Sequence, residues 1–202
     1  MSSPRTAIRQ YWVAIRALLI FTVVLGVGYT ALITGIGQLA LPWQSNGSTI
    51  NVGGASVGSA LIGQSFTDKK GNALPEWFQS RPSAAGTGYD ASASSGSNYG
   101  PENADLIKAV TDRKVAIAKL DGVPASSIPA DAVTASASGL DPHISPEYAL
   151  LQVDRVARVR NLPVAEVKKL VVAQIQAPDL GYLGQSRVNV LDLNVALAKL
   201  KG

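Results

Sequence analysis

The stretch ALLIFTVVLGVGYTALITGIGQLAL, residues 17–41, decides how the rest of the chain is read. It opens a run of 51 residues, Ala17 to Thr67, with no Asp, Glu, Lys or Arg. About 20 apolar residues at 1.5 Å rise cross a hydrocarbon layer ~30 Å thick, so this run is long enough to span a membrane. Arg5, Arg9 and Arg16 precede it with no acid among them. Positive flanks stay in the cytoplasm. The N-terminus, residues 1–16, is therefore expected inside, and the chain beyond about Trp43 outside. Tyr11-Trp12 and Trp43 stand at the two ends of the run, as interfacial aromatics do. The rival reading is a cleaved signal peptide, whose apolar core is about 7–15 residues closed by a small-x-small site. This run is longer and no A-x-A pattern closes it, which favours a retained single-pass anchor in the cell membrane (inner or plasma).

Composition narrows the outer part. The formal charge is +4, but setting aside the three N-terminal arginines leaves 15 basic and 14 acidic residues. A nearly neutral domain is not built for nucleic acid. There is no Cys and one His, so neither a disulfide framework nor an ordinary zinc site is expected. No metal site is predicted.

Along the chain, residues 42–57 read as a membrane-proximal linker with a turn at Asn46-Gly47, and residues 58–202 as one domain. The sequon Asn46-Gly47-Ser48 lies close to the membrane and is read as incidental. Val57 to Phe66 can hold a strand with Leu61 and Ile62 in the core. Glu76 to Ser80 can make one helical turn with Trp77 and Phe78 inward. Residues 83–103 are a long loop in which Tyr89 and Tyr99 argue for packing. Asn103 can cap a helix that ends at Asp121-Gly122, with Leu106, Ile107, Val110 and Ile117 on one face. Val133 to Ser136 reads as a strand. Ser145-Pro146 opens a helix with Leu150, Val153 and Ala157 buried. A second follows Pro163 with Val164, Val167, Val171 and Ile175 as its stripe. Arg187 to Val190 is the last strand, and Leu191 to Leu200 the last helix. The fold class expected is α+β, or mixed α/β, outside the membrane and anchored by one N-terminal helix.

Candidate functional residues fall in four places. Ser95, Gly96, Ser97 and Asn98 suit either a tight turn or an anion-binding nest; no Gly-Lys-Ser/Thr follows, so this is not a P-loop. Asp141 and His143, two apart, can meet in an extended segment. No G-x-S-x-G accompanies them, and a stiff loop or a partner contact fits better than catalysis. No catalytic set is predicted. Arg155 and Arg158, with Arg160 nearby, make a basic helix face that is either solvated or an interface to an acidic partner. Gly26, Gly28, Gly35 and Gly37 let another membrane helix approach closely, unless they are simply the glycines common in such helices.

These segments together resemble the KdpC family of the Kdp potassium-transporting ATPase. The resemblance rests on PWQ (42–44), NGS (46–48), GSALIGQSF (58–66), RPSA (81–84), SGSN (95–98), VTASASGLD (133–141), RVARVRNL (155–162) and VNVLDLN (188–194). Where the family reads Ser-Gly-Gly-Ser-Asn this chain has Ser94-Ser95-Gly96-Ser97-Asn98, which weakens any case for a double glycine holding a nucleotide. The family pattern does not require the His at 143. The resemblance implies a non-enzymatic accessory subunit of a potassium uptake complex. Its implied partners are a channel-like potassium-binding subunit, a P-type ATPase subunit and a very small membrane subunit. It also implies a catalytic-chaperone role that raises the ATP affinity of the ATPase subunit. That role conflicts with a domain outside the membrane, because ATP is inside. No firmly bound cofactor is expected on this chain, with ATP reached through the ATPase subunit.

Overall fold

Nothing interrupts helix formation between Pro4 and Leu41, and the chain there is helical throughout. The structure is a computed structural model that describes residues 4–200, with side chains from Ile8. Helix α1 (Pro4–Phe21) passes into a π-helical stretch, Thr22–Tyr29, and then into α2 (Thr30–Ala40). Proline is tolerated at a first helical position, as at Pro4. The end is set by Pro42, which disfavours the helical region at the residue before it; Leu41 has φ −136°. The apolar helix thus runs from Ile8 to Ala40, 33 residues. It starts earlier than the apolar sequence does, because Arg9 and Arg16 are good helix formers even though they belong outside hydrocarbon. Its apolar side chains are exposed. A short turn of helix, α3 (Pro42–Ser45), follows.

The chain divides into two units, one up to Ser48 and one from Thr49. The expected linker, 42–57, is therefore split between them. The second unit opens with a hairpin of β1 (Thr49–Val52) and β2 (Ala55–Ser59), antiparallel with Val52 opposite Ala55. Gly53 and Gly54 make its two-residue turn, both at positive φ, as a type I′ geometry requires.

The core is built by the C-terminal third. Helices α6 (Pro146–Leu151), α7 (Val153–Arg160), α8 (Val164–Ala173) and α9 (Val190–Leu197) surround a three-stranded antiparallel sheet. Its order is β3 (His143–Ile144), β5 (Arg187–Asn189), β4 (Ile175–Gln176). Val156, Val167, Val171, Val188, Leu193 and Leu197 are fully buried there. Each such side chain contributes about 1.5–3 kcal/mol by leaving water. Ser145 accepts from the Tyr148 N–H and caps α6. Asn161 at φ +55° ends α7. Helix α4 (Ala104–Asp121) is capped by Asn103 and closed by Gly122 in the left-handed region. A short α5 (Ala130–Val133) follows.

The least regular part of the core is its most instructive. Residues 75–79 enter the interior from an exposed Pro75 to a buried Phe78 and Gln79, as turn and extended chain rather than as the helical turn expected for Glu76–Ser80. Phe78 is nonetheless fully buried. Buried backbone groups need partners, and here side chains supply them. Asn194 accepts from the Phe78 N–H and donates to the Phe78 carbonyl, both at 2.9 Å. Gln152 does the same for Gln79, at 2.7 and 3.2 Å. Two amide side chains thus play the part of a neighbouring strand.

Other expectations are revised. Val133 to Ser136 is not a strand: Val133 ends α5, and the Ser136 N–H bonds to the Pro82 carbonyl. The Val57–Phe66 strand stops at Ser59, and Leu61 is exposed. Tyr99 is exposed as well, and so is Ile107 on α4. Val164 is exposed on α8, and Ile175 lies in β4 after that helix ends.

Candidate functional site

Four separated sequence segments meet on one face of the second unit. Gly63 N–H bonds to the Leu140 carbonyl at 2.8 Å, and Ser80 Oγ donates to the Gln64 carbonyl at 2.7 Å. Ser83 Oγ donates to the Gly139 carbonyl at 2.6 Å and accepts from the Tyr89 N–H at 2.8 Å. Ser94 Oγ and Ser95 N–H both donate to the Ser138 carbonyl, at 2.9 and 3.0 Å. The loop 133–141 is the hub, and its backbone is satisfied by the other three segments instead of by a sheet.

The glycines mark the tightest approaches. A Cβ at Gly96 would stand 2.7 Å from the Ala137 carbonyl oxygen. One at Gly139 would stand 2.7 Å from Ala85 N and Cβ and from Ser95 O. Gly96 is thus required for close packing, and the Ser95 N–H is engaged within the fold. Asn98 takes the left-handed region at φ +54°. Ser95, Gly96, Ser97 and Asn98 line neither the cavity beside Arg113 and Tyr89 nor the one beside Asp141 and His143.

Asp141 and His143 do come together, with a third residue that no short sequence window pairs with them. His143 Nδ1 is 3.3 Å and His143 N 3.0 Å from Asp141 Oδ1. Arg81 Nη1 is 3.0 Å from Asp141 Oδ2. Burial pushes the Asp141 carboxyl up, but hydrogen bonds from His143 and Arg81 outweigh it and hold the group below its ordinary 3.8. Tyr89 closes this corner by donating its hydroxyl to the Arg81 carbonyl at 2.7 Å; burial pushes that phenol up to about 12. The nearby Ser145 hydroxyl is occupied by Asp131 and by capping α6. The arrangement orders a loop around a shared carboxylate.

A pH effect follows. Because the fold favours ionised Asp141, its contribution to stability is present above the unfolded value near 3.8 and is lost as pH falls through the lower folded one. Asp141→Asn should therefore lose stability at neutral pH and show less further loss than the parent below about pH 4, read by thermal unfolding across pH. Parallel pH profiles for the two proteins would contradict this.

The basic face on α7 is corrected. Arg155 is 1% exposed. Its Nε lies 2.6 Å from Asp121 Oδ1, and its Nη2 lies 2.7 Å from Gln152 Oε1. Nη1 donates to the Pro75 carbonyl and, at 2.9 Å, to that of Trp77. Arg155 is a core residue because an acid 34 positions away and the irregular 75–77 backbone claim all of its guanidinium. Arg160 lies over the Trp77 ring at 4.6 Å and donates to the Leu197 carbonyl. Of the three arginines, Arg158 remains on the exposed surface.

In the anchor, Gly26 and Gly28 lie in the π-helical stretch, and Gly35 and Gly37 in α2. Within α2, Gly35 and Gly37 are two residues apart at about 100° per residue and so stand on opposite sides of the helix. The four do not form one stripe. A Cβ at Gly35 would meet nothing within 4 Å, whereas one at Gly37 would meet Ser45 Oγ at 2.7 Å.

The missed residues are Gln152, Asn194, Asp121 and Arg113, which join segments far apart in the chain. Arg81, inside RPSA, and Asn194, at the end of VNVLDLN, carried a local signal.

Known proteins match most of the length of this sequence. The family profile described as "KdpC: K+-transporting ATPase, c chain" matches residues 11–199. The potassium-transporting ATPase KdpC subunit of Beijerinckia indica is 52% identical over 181 residues, 90% of this chain and 89% of that one. That of Caulobacter vibrioides is 55% identical over 180 residues, 88% and 87% of the two chains. That of Mycobacterium tuberculosis is 48% identical over 193 residues, 95% and 99%. The chain belongs to the KdpC family of K+-transporting ATPases.

Proposed function

We propose that this chain is a non-catalytic accessory subunit of an ATP-driven potassium uptake complex, held by one membrane helix with its domain outside the cell membrane. Membership of the KdpC family carries the reading. The partners are the channel-like potassium-binding subunit, the P-type ATPase subunit and the very small membrane subunit. Three arginines before the apolar run 17–41 support the orientation. The 133–141 hub, cross-tied by three loops, offers one rigid surface for docking on the channel-like subunit and bracing its outer mouth. The ATP-affinity effect ascribed to the family then acts through the anchor and the partner subunits, with ATP on the ATPase subunit.

Deleting the chain while the other subunits are still made should abolish high-affinity potassium uptake, measured as growth and ion flux at low external potassium. Restoring the full chain should return it. Uptake that persists without the chain would sink the proposal.

A further inference from the structure

A cavity of about 810 Å³ opens between the 65–73 loop, the 79–89 segment and one side of α4. That volume falls in the range of roughly 300–1,000 Å³ typical of sites for small organic molecules. Its lining contains three basic side chains, Arg81, Arg113 and Lys119, and no acidic one. Phe66 and Ile117 add apolar wall.

The two guanidinium groups are fixed by consecutive carbonyls. Arg113 Nη1 donates to the Val133 carbonyl at 2.9 Å. Arg81 Nε and Nη2 donate to the Thr134 carbonyl at 3.4 and 3.3 Å. One short piece of the 133–141 hub therefore holds two like charges at the same cavity. Asp141 offsets Arg81 alone, and it lines the neighbouring cavity rather than this one. Among the described residues Arg113 and Lys119 have no carboxylate within ion-pair distance. A guanidinium carries five N–H donors, and Arg113 engages one of them in the fold. With Arg81 paired to Asp141, Arg113 and Lys119 leave the cavity wall with positive charge that a bound anion would balance. Arg113 can offer a two-donor fork, and Arg81, with Nε and Nη2 on Thr134 and Nη1 on Asp141, can offer its second Nη1 and Nη2 hydrogens; carboxylate and phosphate oxygens both accept from such donors.

We propose that this cavity binds a small organic oxyanion, a carboxylate or phosphate on an apolar body. The oxyanion bridges Arg81 and Arg113 within reach of Lys119, and the body lies against Phe66 and Ile117. The site is separate from Ser95–Asn98, and it gives the domain a ligand of its own beyond its place in the uptake complex.

The test is calorimetric titration of the full chain in non-ionic detergent with phenyl phosphate, benzoate, inorganic phosphate and phenol. One of the two aromatic oxyanions should bind saturably with a Kd below about 1 mM, and phenol, which lacks the charge, at least about tenfold more weakly. Inorganic phosphate, which lacks the apolar body, should also bind more weakly. Arg113→Gln should weaken the preferred oxyanion by about tenfold. Lys119→Gln, on an exposed position of α4, should weaken it by a smaller factor and serves if Arg113→Gln does not fold. Whichever aromatic oxyanion binds more tightly identifies the ligand as phosphate or carboxylate. Absence of saturable binding by both, equal binding of phenol, or binding unchanged in the folded variants would overturn the proposal. Uptake is not the readout, so such a result leaves the accessory-subunit reading standing on its own test.

Discussion

Arg155→Ala is expected to cost the domain about 3–5 kcal/mol, the range for removing one partner of a buried ion pair. The side chain is almost wholly inaccessible, as is that of Asp121. Its loss strands the Asp121 carboxylate, whose Oδ2 already has no hydrogen-bond partner among the described residues. It also removes the donor shared by the part-buried carbonyls of Pro75 and Trp77. A domain stable by about 5–15 kcal/mol would lose a large share of that. Burial pushes the Asp121 carboxyl above 3.8, while Arg155 pulls it down. Without Arg155 that value rises further. A raised folded value gives stability that is fullest in acid and is lost as pH rises through it. The deficit of the variant should thus shrink toward low pH. Denaturant unfolding of the full chain at several pH values measures both effects. Replacing the pair together, Arg155→Met with Asp121→Leu, should recover part of the loss. A cost below about 1 kcal/mol for Arg155→Ala would mean that the pair is solvated.

Gly139→Ala should cost about 2–4 kcal/mol, from a left-handed backbone penalty of about 1–2 kcal/mol plus crowding. Gly139 has φ +69°, and the added carbon would press on Ala85 N and Ser95 O, backbone atoms of two other loops. Gly122→Ala is the control. Its φ is +70°, but nothing lies within 4 Å of the added carbon. It should show the backbone penalty alone, about 1 kcal/mol. The difference between the two variants isolates the packing of the loops around residues 133–141. Equal costs would show that the loops do not close on Gly139. Because those loops carry the proposed docking surface, Gly139→Ala should also reduce potassium uptake while Gly122→Ala leaves it near the parental level.

What the sequence made legible was what neighbouring residues determine. Asn103, Gly122, Ser145-Pro146 and Pro163 bound their helices as read, because capping and proline geometry act within a turn of the chain. The anchor was legible from length and charge alone. The β-rich composition of residues 133–136 misled, since the backbone there is satisfied by Pro82 and the loops around it. Arg155 misled for the same reason: spaced three from Arg158, it looks like a surface residue until Asp121 and the 75–77 carbonyls are brought to it. Phe78 was recognisable as core, but not the two amides that satisfy the backbone buried with it. The four motif segments could be quoted from the chain, yet their meeting at residues 133–141 rests on hydrogen bonds across tens of residues, such as Ser83 to Gly139.

The side of the membrane on which the domain from Thr49 onward works is read by fusing a reporter after Gly202 that is active only outside the cytoplasm, with a cytoplasm-only reporter as the counterpart. With the domain outside, the first reporter is active and the second silent. The reverse pattern would contradict that arrangement, overturn the charge argument from Arg5, Arg9 and Arg16, and place the domain on the side where ATP is.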